Sequence, residues 1–138
     1  MKTFYQTFLQ DLEDSHYEVI IESPFITKER MRTFDCIFLK LLERGVKIYI
    51  MTRDPKKHGE NIEIQSEEAI RWCEKVGIQI LICKGNHHRK LAIIDRTILW
   101  EGSLNILSQF KSREIMRRTH NKKLTLQLFD FLEYQKFI

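Results

Sequence analysis

His88 and Lys90 stand two residues apart. Asp95 follows Lys90 after four intervening residues, and Gly102-Ser103-x-Asn105 follows Asp95 after six. Side chains alternate along an extended chain, so His88 and Lys90 share one face, which presents an imidazole beside an ammonium. Leu91, Ile93 and Ile94 continue the run with apolar residues and predict a strand over 88–95 that anchors the pair in a sheet. Ser103 and Asn105, also two apart, share a face at the end of a following strand over 97–101, and Gly102 permits a turn or a close backbone approach. If the two strands pair, one pocket holds a cation, a hydroxyl, an amide and an imidazole. That set suits a phosphate group: donors for its oxygens and one group able to attack phosphorus or carry a proton.

The rest of the chain must supply the frame. Phe4, Phe8, Leu9 and Leu12 fall on one helical face and predict an opening amphipathic helix. Residues 18–26 read as a strand; Thr27 caps a helix with an apolar stripe of Met31, Phe34, Ile37, Phe38, Leu41 and Leu42, which Gly45 ends. Residues 46–52 form a second strand, followed by a basic loop through Arg53, Lys56, Lys57 and His58. Ser66 starts a further helix that closes at Gly77, residues 78–84 are a third strand, and a polar, basic stretch runs from Asn105 to Lys123 before a terminal helix from Leu124. Strand, helix, strand, helix, strand implies right-handed parallel crossovers, and two later strands with little between them imply hairpin-like pairing. The expected fold is α/β, a mixed β-sheet flanked by helices, with residues 1–138 as one domain.

The pattern HxKxxxxDxxxxxxGSxN, complete here as His88, Lys90, Asp95, Gly102, Ser103 and Asn105, resembles the signature of the phospholipase D superfamily. The likeness extends more loosely from about residue 18 to about residue 114, through Ser23-Pro24-Phe25 and Arg44-Gly45-Val46. Most members carry a Glu shortly after GSxN, which Glu114 matches; Ile106, Leu107 and Ser112 depart from the residues usual around that segment. The resemblance implies an α/β sandwich and a metal-independent double displacement that needs no cofactor. One histidine forms a phosphohistidine and a second, from another motif, protonates the leaving oxygen, while Lys and Asn hold the non-bridging oxygens. The implied catalytic set is His88, Lys90, Ser103, Asn105 and Glu114. Because this chain has one motif, the resemblance further implies a homodimer that shares one site between two copies of His88.

Each residue also has a plainer reading. Asp95 lies at an odd offset from Lys90, off the His-Lys face, and is expected to support the site or stabilise a turn, with Gly102 as a second supporting residue. His87 adjoins His88, but neighbouring strand residues point to opposite faces and cannot readily chelate together; no HExxH or CxxC accompanies them, so no metal is expected. His16, His58 and His120 have no partner pattern and read as surface residues. Arg53, Lys56 and Lys57 after the second strand, and Arg117 and Arg118 with Lys111, Arg113, Lys122 and Lys123 after the motif, suit either nucleic-acid phosphates or a solvated face.

Composition narrows the partner. Net charge is +4 with a pI of about 9.0, and no apolar run approaches a bilayer span. Cys36, Cys73 and Cys83 lack metal or disulfide spacing and read as small apolar residues in a reducing compartment. The expectation is a cytoplasmic nuclease acting on DNA or RNA. The rivals are a phospholipid-hydrolysing or phosphatidyl-transferring enzyme, discriminated by an apolar surface or membrane signal, and a nucleic-acid-binding module without turnover. Such domains also serve as nuclease parts of helicases and restriction enzymes, of which this chain could be a piece.

Overall fold

A computed structural model describes residues 4–57, 60–85, 87–108 and 114–138, with the side chains of 57 and 60–62 outside the description. Six strands form one sheet in the order β3-β2-β1-β4-β5-β6: β1 (Glu18–Glu22), β2 (Lys47–Arg53), β3 (Gln79–Cys83), β4 (Leu91–Ile94), β5 (Ile98–Gly102) and β6 (Met116–His120). β1, β2 and β3 run parallel, whereas β4 pairs antiparallel with β1 and the last three strands zigzag antiparallel. The helices are α1 (Phe4–Glu13), α2 (Lys28–Glu43), α3 (Glu60–Val76) and α4 (Lys122–Phe131).

Both faces of the central strands are apolar, which makes two cores. Val19, Ile21, Ile48, Ile50, Ala92, Ile94 and Trp100 point toward α1, α2 and α3, where Phe8, Leu12, Phe34, Phe38 and Cys73 meet them. Ile20, Tyr49, Met51, Leu91, Ile93 and Leu99 point the other way, toward Phe129 of α4 and Tyr134 beyond it. The continuous apolar run of β1 thus reflects burial on both sides. Thr27 accepts the Arg30 amide at 3.3 Å and caps α2, as its sequence predicts. Gly45 and Gly77 adopt φ of 85° and 106° at the ends of α2 and α3, the left-handed conformation glycine takes without penalty.

Five elements depart from the sequence expectation. β1 stops at Glu22, short of the expected end at residue 26, because Ser23-Pro24 turns the chain toward α2. α3 begins at Glu60, six residues before Ser66, and Ser66 is a buried residue inside it whose hydroxyl donates to the Ile26 carbonyl at 2.7 Å. β4 spans Leu91–Ile94, so His88 and Lys90 precede the strand instead of lying within it. β6 forms inside the polar stretch, where Met116-Arg117-Arg118-Thr119-His120 carries no apolar alternation because it is a sheet edge, a place where charges block further pairing. The terminal helix starts at Lys122, capped by Asn121, and ends at Phe131 before a short 3-10 turn at Tyr134–Lys136. Among the cysteines only Cys73 is fully buried, and burial pushes its thiol up to about 12; Cys36 is exposed. Among the described residues, no helix is long and apolar enough to cross a membrane.

Candidate active site

The sheet topology gathers the motif at one end. The C-terminal ends of β1, β2, β3 and β5 and the starts of β4 and β6 all lie there, because β4 and β6 run against their neighbours. Leu91 pairs with Glu101, and one step further the Gly102 amide donates to the Lys90 carbonyl at 3.2 Å. The pairing that the His-Lys and Gly-Ser-x-Asn segments require therefore exists.

His88 is exposed, and no described group hydrogen-bonds its imidazole. Lys90 donates from Nζ to the His88 carbonyl at 2.8 Å; an ammonium has three N–H groups, so two remain for a phosphate. The segment that follows Gly102 is tightly held. The Ser103 amide donates to the Ile115 carbonyl at 2.9 Å, and the Ile115 amide returns a bond to Ser103 Oγ at 3.0 Å. Asn105 is 7% exposed and opens a turn in which its carbonyl accepts the Ser108 amide, while Ile106 and Leu107 are fully buried below it. Ser23 Oγ accepts the Leu107 amide at 3.2 Å, which ties this turn to the end of β1. Glu114 is exposed immediately before Ile115.

Gly102 has a concrete reason to be glycine. A Cβ there would run into the Ile115 carbonyl and lie 2.9 Å from Met116 Sδ, so its absence lets β6 approach and form the Ser103–Ile115 pair.

Asp95 lies at the opposite end of β4 and touches none of these groups. It occupies the tight β4–β5 turn, where both Asp95 and Arg96 have φ of 54°. Its carboxylate accepts the amides of His16, Tyr17 and Glu18 at 2.8, 2.8 and 2.9 Å, locking the entry to β1 onto the turn. Of its two expected roles, the turn is what the structure contains.

The basic residues divide. Arg53 ends β2 on the site's side of the sheet, its guanidinium 5.6 Å from the Phe25 ring centre. Lys56 follows in a 3-10 turn, Pro55–Lys57, with an exposed side chain; that of Lys57 lies outside the described residues. Arg117 is exposed on β6. Arg118 directs Nε and Nη2 to Asp11 at 2.8 and 2.9 Å, and Asp11 also accepts Trp100 Nε1 at 2.7 Å, so its guanidinium braces α1 against the sheet. Lys111, Arg113 and His58 fall outside the described residues.

His87, unlike the exposed His88, is partly buried. Its ring reaches Glu22, with Nε2 to Oε1 at 3.5 Å, and burial pushes its pKa down despite the pull of that carboxylate, with Arg89, His88 and Arg53 pushing the same way as burial. Glu22 itself is fully buried and receives Arg89 Nε and Nη2 at 3.0 and 2.9 Å. Glu22 does not figure among the residues expected at the site, although a carboxylate ending an otherwise apolar, doubly buried strand is a signal in the sequence. Among the described residues no three His, Cys, Asp or Glu side chains gather as metal ligands.

A family model described as "Cardiolipin synthase, PLD-like domain" matches residues 8–134. No curated protein sequence matches the chain. Among solved structures, NucT from Helicobacter pylori is similar at a TM-score of 0.75 with 20% identity, covering 96% of this chain and 85% of that one. A phospholipase D family member, Nuc from Salmonella typhimurium, gives 0.73 with 18% identity over 94% and 84% of the two chains. Phosphatidylserine synthase from Haemophilus influenzae gives 0.72 with 14% identity, covering 96% of this chain and 35% of that one.

Proposed function

The chain belongs to the phospholipase D-like family, and from that premise we propose that it is a metal-independent phosphodiesterase, a nuclease of DNA or RNA whose active unit is a homodimer. The observation that carries this reading is the convergence of His88, Lys90, Ser103 and Asn105 at one sheet end, with one HxK segment per chain.

The chemistry follows from those groups. The His88 imidazole attacks phosphorus, and a P–N bond forms as the bond to the leaving oxygen breaks. The second copy's His88 gives that oxygen its proton. It then takes a proton from water, whose oxygen attacks the phosphohistidine, and the P–N bond breaks to return free His88. Lys90 and Asn105 bind the non-bridging oxygens as charge builds on them, which is where fixed donors accelerate such a reaction most. Ser103 keeps its segment closed against Ile115 and offers its hydroxyl toward the same end of the sheet, and Glu114 stands beside it as a candidate to orient a histidine.

A second histidine within one chain is poorly supported among the described residues. His87 is turned toward Glu22, His16 adjoins the Asp95 turn, and His120 pairs with Ile98 at that same far end of the sheet. Arg53, Lys56 and Arg117 remain as cations for flanking phosphates. Nuc and NucT favour nucleic acid as the substrate class. The family model's description and the phosphatidylserine synthase match carry the phospholipid alternative.

The test is incubation with labelled single-stranded DNA, duplex DNA, RNA and phospholipid vesicles in EDTA, beside His88→Ala. Cleavage of a nucleic acid in chelator, absent in His88→Ala, is expected. Cleavage that needs added magnesium or zinc, or that survives His88→Ala, refutes the mechanism. Turnover of the vesicles alone assigns the lipid alternative.

A further inference from the structure

His88 and Lys90 lie just outside the regular ladder. β4 starts at Leu91, and one backbone bond, from the Gly102 amide to the Lys90 carbonyl, extends the pairing toward them. A nucleophile carried on such a segment needs another restraint, because attack requires alignment within a fraction of an ångström.

The restraint comes from the residues that flank the nucleophile: His87 and Arg89, on either side of His88, both turn their side chains toward Glu22. Arg89 grips both oxygens of Glu22, and His87 approaches the same carboxylate. Glu22 closes β1, the central strand, and pairs with Leu91 and Met51, so it is among the most firmly held positions in the sheet. Its side chain is completely buried, next to Tyr134, whose phenol is pushed up by burial and then by this carboxylate. Burying a carboxylate there costs stability that an apolar residue would not cost, even when an arginine pairs with it. What an apolar residue lacks is a directional, two-pronged bond to the chain beside the nucleophile.

We propose that Glu22 is a positioning residue: it holds Arg89 by a two-pronged bond and thereby fixes the backbone that carries His88 and Lys90. The proposal rests on the phosphodiesterase reading for its consequence in turnover, though the restraint itself is structural. Burial pushes the His87 pKa down, and the ion pair in the clamp is that of Glu22 with Arg89.

The experiment compares wild type, Glu22→Gln, Arg89→Lys and Glu22→Gln/Arg89→Gln on bis(p-nitrophenyl) phosphate, with thermal melts to establish folding. For folded Glu22→Gln, kcat should fall by about 10- to 100-fold, the scale of a displacement of roughly 1 Å at the reacting atoms, with KM nearly unchanged. Arg89→Lys keeps the charge without the fork and should lose less. The double variant should lose no more than Glu22→Gln alone, because the two residues act as a unit. Should Glu22→Gln not fold, Arg89→Lys carries the test. Histidine-ring and backbone NMR supply a readout independent of turnover: the resonances of His88 and Lys90 should move or broaden when the clamp is broken. Folded variants with wild-type kcat and unmoved His88 resonances overturn the proposal. A wild type that does not hydrolyse the phosphodiester overturns the function instead, and the NMR comparison still decides the clamp.

Discussion

Replacing Asp95 with alanine should unfold the protein more readily while leaving the chemistry of surviving native molecules intact. The carboxylate accepts three backbone amides, from His16, Tyr17 and Glu18. Bonds to a charged acceptor contribute about 1.5–3 kcal/mol each when the donor stays buried without it. Tyr17 is 75% exposed, so water replaces much of what is lost there, and Glu18 is the donor closest to the interior. Alanine also fits the left-handed φ of 54° less well than aspartate. Together these give a loss of about 2–4 kcal/mol. For a chain of 138 residues that is a fall of about 7–14 °C in melting temperature. Asp95→Asn keeps one acceptor oxygen and the turn preference, and should lose about half as much. His88 lies seven residues away along an extended chain, roughly 23 Å. Thermal melts should therefore move strongly while kcat, measured well below the melting temperature and corrected for the folded fraction, stays within a factor of two or so. An Asp95→Ala protein with unchanged melting but abolished turnover would show that the assignment to the turn is mistaken.

Mixing wild type with His88→Ala in equal amounts, dissociating and reassembling, should leave about a quarter of dimers with both histidines and halve the activity per wild-type chain; activity proportional to wild type would refute a shared site. Gly102→Ala should push β6 away from β5 at the Ile115 carbonyl, costing about 1–3 kcal/mol in urea titrations and disturbing the Ser103 segment. The depressed His87 pKa has a definite sign: as pH falls below about 6.5 the unfolded chain takes up a proton that the native protein refuses, so stability is full above that value and declines through the acid range toward the native pKa. His87→Asn should flatten that part of the melting-temperature profile. Lys56→Gln and Arg117→Gln should each reduce the salt dependence of nucleic-acid binding by about one unit of slope, whereas Arg118→Gln, which breaks the Asp11 pair, should lower stability instead.

What the sequence disclosed follows from how local the governing physics is. The two parallel crossovers were legible because apolar stripes such as Met31, Phe34, Phe38 and Leu41 are written at helical spacing, with Thr27 and Gly45 marking the ends. The candidate site was legible as a pattern because residue types suited to a phosphate stand at fixed offsets from His88 to Asn105, although Asp95, in the same pattern, belongs to the far turn. β6 was not, since an edge strand rich in arginine has no alternating pattern; what pairs it to β5 is the vacancy over Gly102. Nor was the start of α3 visible, because Ser66 looks like a cap and is in fact a buried hydroxyl satisfied by Ile26. Arg118 and Asp11 are separated by more than a hundred residues, and so is their meaning. Glu22 and Arg89 are 67 residues apart, and nothing local in the sequence links one to the other.

The placement of β1 bears on how the chain must be made. One edge of β1 pairs with β2, available once residues through Arg53 exist, but the other pairs with β4 and stays open until Ile94 has been synthesised. Until then Val19, Ile20 and Ile21, all fully buried in the finished fold, border an unsatisfied row of amides and carbonyls. A chain that has made only the three parallel strands thus carries an open edge, and closing it depends on a contact that spans some seventy residues, the kind of long-range pairing that forms slowly. A nascent chain stalled before β4 would offer that edge to its neighbours on the same message, and a truncation ahead of Leu91 should aggregate, not fold as a smaller domain.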